Sequence, residues 1–242
     1  QRFLEISKRV TAKKPVLILK SGRTKEGAKV SASHTGALAV DDQIFSAACK
    51  QAGVIRLEKF SEFFELPKIF SIQPLPRGNR LGIVTFTGGV GVLAIDESEK
   101  YGLSNAPLSS ETATKLNAIF PGLGKTVVDL GPPMAVNNYM TTYFEILKTV
   151  LTDNNIDSLL NILWTGPFEE AIEEYLKFYG ELQGNSQKTI ATWVYGPRFP
   201  LIHKLSSGLE DLGFPVFSDL EMAIKALGIA YQYSNWKKGE SS

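Results

Sequence analysis

Strand-like runs alternate with helix-like runs almost from end to end of this chain, and that alternation limits its fold more than any other feature. The runs KPVLILKSG, VIRLEKF, RLGIVTFTG, SLLNILWTG, KTIATWVYG and PVFS are rich in β-branched and aliphatic residues, and four of them close on glycine. Helical patterns follow most of them, among them DDQIFSAACKQAG, VGVLAIDESEKYG and EEAIEEYLKFYGEL. A strand, a helix and another strand in repeated succession bury both faces only in a parallel sheet wrapped by helices, so the fold class is α/β. In the helix opening at Asp42, the apolar positions Ile44, Ala47, Ala48 and Ala52 define the expected inner face, with Gly53 as its stop. The stretch QPLPRGN, Gln73 to Asn79, has two prolines and a glycine and no periodicity. It reads as a linker, dividing the chain into 1–73 and 80–242.

A weak internal repeat supports that division. KPVLILKSGR, Lys14 to Arg23, is similar to KTIATWVYGPR, Lys188 to Arg198. AGVIRLEKFSEFFEL, from Ala52, is similar to LGFPVFSDLEMAIKAL, from Leu212, where Ser218 and Glu221 have the spacing of a capping box. Lys14 and Gly53 are 39 positions apart, whereas Lys188 and Gly213 are 25 apart. The additional residues of the first copy fall around KEGAKVSASHTGALA, and an insertion in one of two similar domains points to function. The second domain also has a long stretch before its repeat strand where the first has very little. The front of the first domain is therefore expected to lie outside this sequence.

Composition excludes several classes of function. Net charge is +1 with no basic or acidic block, which argues against a nucleic-acid surface or a polybasic membrane anchor. No apolar run has the length of a membrane span. The single cysteine, Cys49, leaves neither an internal disulfide nor a thiolate metal cluster, and a cytoplasmic setting is the expectation.

Two motifs could carry chemistry. In TGGVGVLAID, Thr87 to Asp96, an apolar strand runs through glycines into a helix. Backbone N–H groups at a helix start carry the positive end of its dipole, and glycines let an anion approach them. Gly89, Gly91 and Ala94 match a dinucleotide spacing, but the following segment LSNAPLSS offers no acidic residue for a ribose before Glu111. A phosphate site fits better, with tight strand-to-helix packing as the bland alternative. The second motif is SASHTGALA, where one of only two histidines sits among small side chains. Such residues fill a core poorly and suit a mobile loop. The imidazole of His34 is the group there with acid–base and nucleophilic chemistry near neutral pH, although a surface histidine without a role has the same composition. His203, in FPLIHKLSSGL, lies among Leu and Ile at helical spacing and reads as structural.

The stretch GRTKEGAKVSASHTGALAVDDQIFSAACKQAGVIR resembles the phosphohistidine segment of the ADP-forming acyl-CoA synthetases, and more distantly that of the succinyl-CoA synthetase α subunit. TGGVGVLAIDESEKYGL resembles the glycine-rich helix of that family's second flavodoxin-like domain. The resemblance implies two flavodoxin-like parallel-sheet domains, the first incomplete here. It implies His34 as the phosphorylated residue, and Gly88, Gly89, Val90 and Gly91 as phosphate-contacting positions. It implies interconversion of carboxylic acid, CoA and ATP with acyl-CoA, ADP and phosphate. CoA, ATP and Mg2+ would be held mainly by a CoA-binding domain and an ATP-grasp pair outside this chain, in a dimer or heterotetramer. No metal site is expected in this chain itself. Relatives usually read Asn-Pro-Val/Ile-Asp where this chain has Thr126, Val127, Val128 and Asp129; the aspartate is kept and the first two positions depart. Phe86 and Thr87 stand where small or amide side chains are commoner. A phosphate or acyl-CoA sensing module without turnover, or a ligase-like regulatory part of an acyltransferase, would leave the same residues.

Overall fold

The computed structural model describes residues 2–35, 40–71, 73–134, 139–166, 169–184 and 186–240. Packing divides the chain into two units, one running to Pro67 and joined by the chain from Gln232 onward, the other Lys68–Tyr231.

The first unit opens with helix α1 (Arg2–Thr11), strand β1 (Leu17–Leu19), helices α2 (Lys25–Thr35) and α3 (Asp42–Gln51), strand β2 (Ile55–Leu57) and the short α4 (Glu62–Glu65). β1 and β2 are parallel, with Leu17 opposite Ile55. α3 starts where Asp41 accepts the N–H groups of Gln43 at 2.8 Å and Ile44 at 3.1 Å, satisfying two donors that have no partner inside the helix. Its inward residues are the buried Cys49 and Ala52, with the half-buried Phe45, Leu4, Val16 and Ile18 packed against them. Of the expected inner face, Ala52 is buried and Ala48 half-buried, while Ala47 is exposed and Ile44 points outward at 65% exposure. Gly53 ends the helix at φ +68°, and a Cβ there would fall 2.3 Å from the Trp236 ring. Only glycine meets both demands.

The second unit follows with α5 (Lys68–Ser71), β3 (Arg80–Thr85), α6 (Gly88–Glu99), β4 (Ser104–Asn105), α7 (Ser110–Ile119), β5 (Val127–Asp129), α8 (Gly131–Met134), α9 (Tyr139–Leu151), β6 (Ser158–Trp164), α10 (Glu170–Leu182), β7 (Thr189–Tyr195), α11 (Phe199–Asp211), β8 (Val216–Phe217) and α12 (Leu220–Glu240), whose last turns belong to the first unit. Every strand pair is parallel. β4 and β5 lie end to end along one edge of β3, β6 lies along the other, and β7 and β8 continue outward. Counting β4 and β5 as one position, this is the flavodoxin-like order 2-1-3-4-5, with its reversal between β3 and β6. β6 is buried along nearly its whole length, including Asn161. That amide is satisfied by a buried pair of tyrosines: Tyr143 Oη donates to Asn161 Oδ1 at 3.1 Å, and Asn161 Nδ2 donates to Tyr179 Oη at 2.7 Å.

All six strands expected from the sequence are present; β4 and β5 join them. The start of the stretch expected as a linker is hydrogen-bonded to residues of the second unit. Gln73 Nε2 donates to the Gly213 carbonyl at 2.8 Å, its Oε1 accepts the Ile190 N–H at 3.0 Å, and Thr189 donates to the Pro74 carbonyl. Where Ser218 and Glu221 suggested a box, Asp219 accepts the Met222 N–H at 2.7 Å and caps α12.

Candidate functional site

In an open parallel sheet, ligands gather outside the carboxyl ends of the strands at the reversal of strand order. In the second unit that place is the first turn of α6. β3 delivers the chain to Thr87, which is extended at the cap position, and α6 begins at Gly88. A threonine there ordinarily turns its hydroxyl onto a helix amide. Thr87 makes no such bond; its Oγ1 lies 2.7 Å from Tyr195 Oη, at the end of β7. The backbone of Thr87 is fixed by Thr85, whose Oγ1 accepts the Thr87 N–H at 3.1 Å and donates to its carbonyl.

The four positions named from the sequence come together here but differ in what they can do. Val90 and Gly91 donate their N–H groups to the Thr87 carbonyl at 3.1 and 3.2 Å. Gly88 and Gly89, the first two helical residues, have no acceptor within the helix. Gly89 is open: a Cβ there would meet no described atom within 4 Å. Gly91 is buried, and a Cβ on it would fall 2.5 Å from Val127 Cγ1, so its small size serves the packing of α6 on β5. A Cβ on Gly88 would fall 2.5 Å from Asp129 Oδ2. Asp129 Oδ1 meanwhile accepts the Gly131 N–H at 2.9 Å. Among the described residues the turn thus has two amides without an acceptor and a helix dipole on one side, and one carboxylate beside Gly88.

Tyr195 is firmly placed. Its ring stacks on Trp193 with centroids 5.2 Å apart, and its carbonyl accepts the Thr165 N–H at 3.0 Å. Burial pushes its phenol pKa up, and the nearby Asp129 carboxylate pushes the same way, while the Thr87 bond acts against them. Thr87, Asp129 and Tyr195 were not legible as site residues in the sequence. The signal available for Tyr195 was its place as the last residue of a strand run, where that run meets glycine.

His34 lies in the first unit, in the last turn of α2, exposed to solvent. The expected loop is helical as far as Thr35; Gly36 to Ala39, the rest of that expectation, lie outside the described residues. The reason is local. Thr24 Oγ1 accepts the Gly27 N–H at 3.1 Å, and the alanines and lysines that follow are good helix formers. Yet α2 has no fully buried residue among those described, and Val30 is 57% exposed. Nearby in sequence, Asp42 gathers Arg56, Lys20 at 3.5 Å and Arg23 at 3.6 Å, and the Arg56 hydrogen bond holds its carboxyl below the usual range. His203 is on the outer face of α11, whose core face is Leu201, Leu205 and Leu209; it is exposed rather than packed among apolar neighbours. Among the described residues no group of three His, Cys, Asp or Glu could hold a metal ion, and no helix is long and apolar enough to cross a membrane.

Residues 1–70 match the family described as "Succinyl-CoA ligase like flavodoxin domain". The chain is 34% identical over 243 residues to the α subunit of ADP-forming acetate–CoA ligase II of Pyrococcus furiosus, covering 97% of this chain and 51% of that subunit. It is 32% identical over 230 residues to ADP-forming acetate–CoA ligase II of Archaeoglobus fulgidus, covering 93% of this chain and 33% of that protein. Among solved structures, the dinucleotide forming acetyl-coenzyme A synthetase 1 of Ca. Korarchaeum cryptofilum, in complex with phosphate and ADP, matches with a TM-score of 0.81 at 23% identity, over 98% of this chain and 50% of its own. That likeness speaks for the fold. A crystal structure from Pyrococcus horikoshii matches at 29% identity with a TM-score of 0.77, over 97% of this chain and 49% of its own. The chain spans between a third and about half of the length of these relatives. The resemblance drawn from the histidine and glycine motifs holds along nearly the whole chain, and the flavodoxin-like fold with it.

Proposed function

We propose that this chain is the phosphohistidine-bearing and phosphate-holding part of an ADP-forming acyl-CoA ligase, interconverting carboxylic acid, CoA and ATP with acyl-CoA, ADP and phosphate. The observation that carries the reading is the uncapped glycine start of α6, on a chain similar to ADP-forming ligases over nearly its whole length. In this reading the domains divide as 1–73, carrying His34, and 80–242, carrying the glycine turn. In the direction of acyl-CoA breakdown, phosphate displaces CoA to give an acyl phosphate, and the His34 imidazole attacks its phosphoryl group. A P–N bond forms as the P–O bond to the leaving carboxylate breaks, releasing the acid; a terminal phosphate oxygen of ADP then takes the phosphoryl group as the P–N bond breaks, and the ligase direction runs these steps in reverse. A phosphoryl group on imidazole carries about two negative charges, which are costly to remove from water unpaired. The Gly88 and Gly89 amides donate to it, and the α6 dipole, with the Val90 and Gly91 amides behind, opposes its charge without reorganisation. An α2 with no fully buried residue among those described is suited to present one histidine to two sites in turn. CoA and the nucleotide with its Mg2+ are supplied by regions outside this chain, on the same or another polypeptide, in a cytoplasmic dimer or heterotetramer.

The test uses the full-length protein assembled with its nucleotide-binding region. Incubation with γ-labelled ATP and Mg2+ is expected to give an acid-labile, base-stable label that a His34→Ala variant lacks. Label that persists in the variant would remove His34 from the reaction.

A further inference from the structure

The hydroxyl pair at the mouth of α6 has a hydrogen-bonding capacity that the fold does not use. Thr87 Oγ1 and Tyr195 Oη lie 2.7 Å apart. Two hydroxyls carry two protons, and only one is consumed in the bond between them. Among the described residues neither oxygen has another hydrogen-bond partner, so one O–H is left to donate outward. Thr87 is exposed and sits next to the open space at Gly89. Tyr195 is half-buried, stacked on Trp193, with its backbone tied to Thr165. Gly196 follows it so closely packed that a Cβ would fall on the Thr165 hydroxyl. The tyrosine therefore cannot turn away easily, and its oxygen holds the threonine hydroxyl off the helix amides that this hydroxyl would otherwise cap.

We infer that Tyr195 is a positioning residue and Thr87 a direct ligand of the phosphoryl group. The tyrosine keeps the Gly88 and Gly89 amides uncapped, and the pair donates its spare O–H to a phosphoryl oxygen. This rests on the reading of the α6 turn as a phosphate site. The bond it adds lies on the Thr87 side of the turn, whereas Asp129 beside Gly88 repels the anion from the other. Together they fix where a tetrahedral anion can sit.

The experiment titrates inorganic phosphate into the 242-residue chain and follows the backbone amide resonances of Gly88 and Gly89 by NMR, with the melting temperature of each variant recorded. Thr87→Val and Tyr195→Phe are each expected to raise the phosphate Kd roughly tenfold, the scale of one hydrogen bond to a charged group. Thr87→Ser keeps the hydroxyl and is expected to stay within about threefold of the parent. Parent-like affinity in both Thr87→Val and Tyr195→Phe overturns the inference while leaving the phosphate site intact. So does a Thr87→Ser variant as weak as Thr87→Val, because the methyl group and not the hydroxyl would then matter. If the Gly88 and Gly89 amides of the parent do not respond to phosphate at all, the phosphate site itself fails, and the role of the pair fails with it.

Discussion

Replacing Gly89 by valine separates binding from packing at the α6 turn. The site is open, so the new side chain displaces no described atom within 4 Å. Valine is a better helix residue than glycine by a few tenths of a kcal/mol, and less than that in a first turn. Stability should therefore change by under about 0.5 kcal/mol, or under about 2 °C for a unit of this size. Gly91→Ala is the contrasting change. Its Cβ would lie 2.5 Å from Val127 Cγ1, about 1 Å inside ordinary carbon–carbon contact, in a buried position. Overpacking of this kind costs about 1–3 kcal/mol, or roughly 3–10 °C. The functional ranking should be reversed. The valine at 89 bars an anion from two amides, and one lost charge-assisted bond is worth about 1.5–3 kcal/mol. Labelling of His34 per folded molecule should then fall at least about tenfold in Gly89→Val and much less in Gly91→Ala. Thermal melting and γ-labelled phosphorylation on one preparation of each variant decide it. If Gly89→Val melts as early as Gly91→Ala and labels like the parent, the glycines serve packing alone and the turn is no phosphate site.

Two further outcomes follow from packing and charge. Asp157, whose side chain is 4% exposed, receives Arg80 Nε and Nη2, each at 2.8 Å, and these bonds hold its carboxyl below the usual range. A depressed carboxyl contributes stability above its unfolded value near 4 and loses it as the pH falls through its folded value. Arg80→Met should accordingly cost about 1–3 kcal/mol at pH 7, discounted because Arg80 is 46% exposed, and the gap should narrow below about pH 4; a gap in urea unfolding that stays constant with pH would contradict this. Gly53→Ala combines a φ of +68° with a Cβ 2.3 Å from the Trp236 ring, so a loss of at least about 2 kcal/mol is expected, with altered tryptophan emission. A variant melting like the parent would show that Trp236 does not pack there.

The strands β3, β6 and β7 were legible because each is a run of β-branched and aliphatic residues bounded by turn residues, and such a run states its own conformation. β4 and β5 were not. Ser104–Asn105 and Val127–Asp129 have too few residues to show a period, and they become strands because β3 offers an edge to both. The start of the α3 inner face was misjudged for a similar reason. Ile44 and Phe45 are both apolar, and only the position of Val16, Ile18 and Leu4 decides that Phe45 turns inward. At His34 the small residues were read as a loop, although alanine is also the best helix former. Thr24, capping at a distance of three residues, tipped that segment into a helix.

By itself the sequence determined what neighbours three or four residues apart can settle: the α/β alternation, the glycine entry to α6, the lone imidazole among small side chains, and through these motifs the resemblance. Tertiary structure decided what depends on residues far apart in the chain. Thr87, Asp129 and Tyr195 meet because β3, β5 and β7 are parallel and end on one side of the sheet, and Thr87 and Tyr195 are separated by 108 positions. Strand order and register follow from which apolar faces can be buried together, a property of the whole sheet that no local period encodes. The same packing turns one glycine of the motif toward open space and another onto Val127, though the two read alike in the sequence.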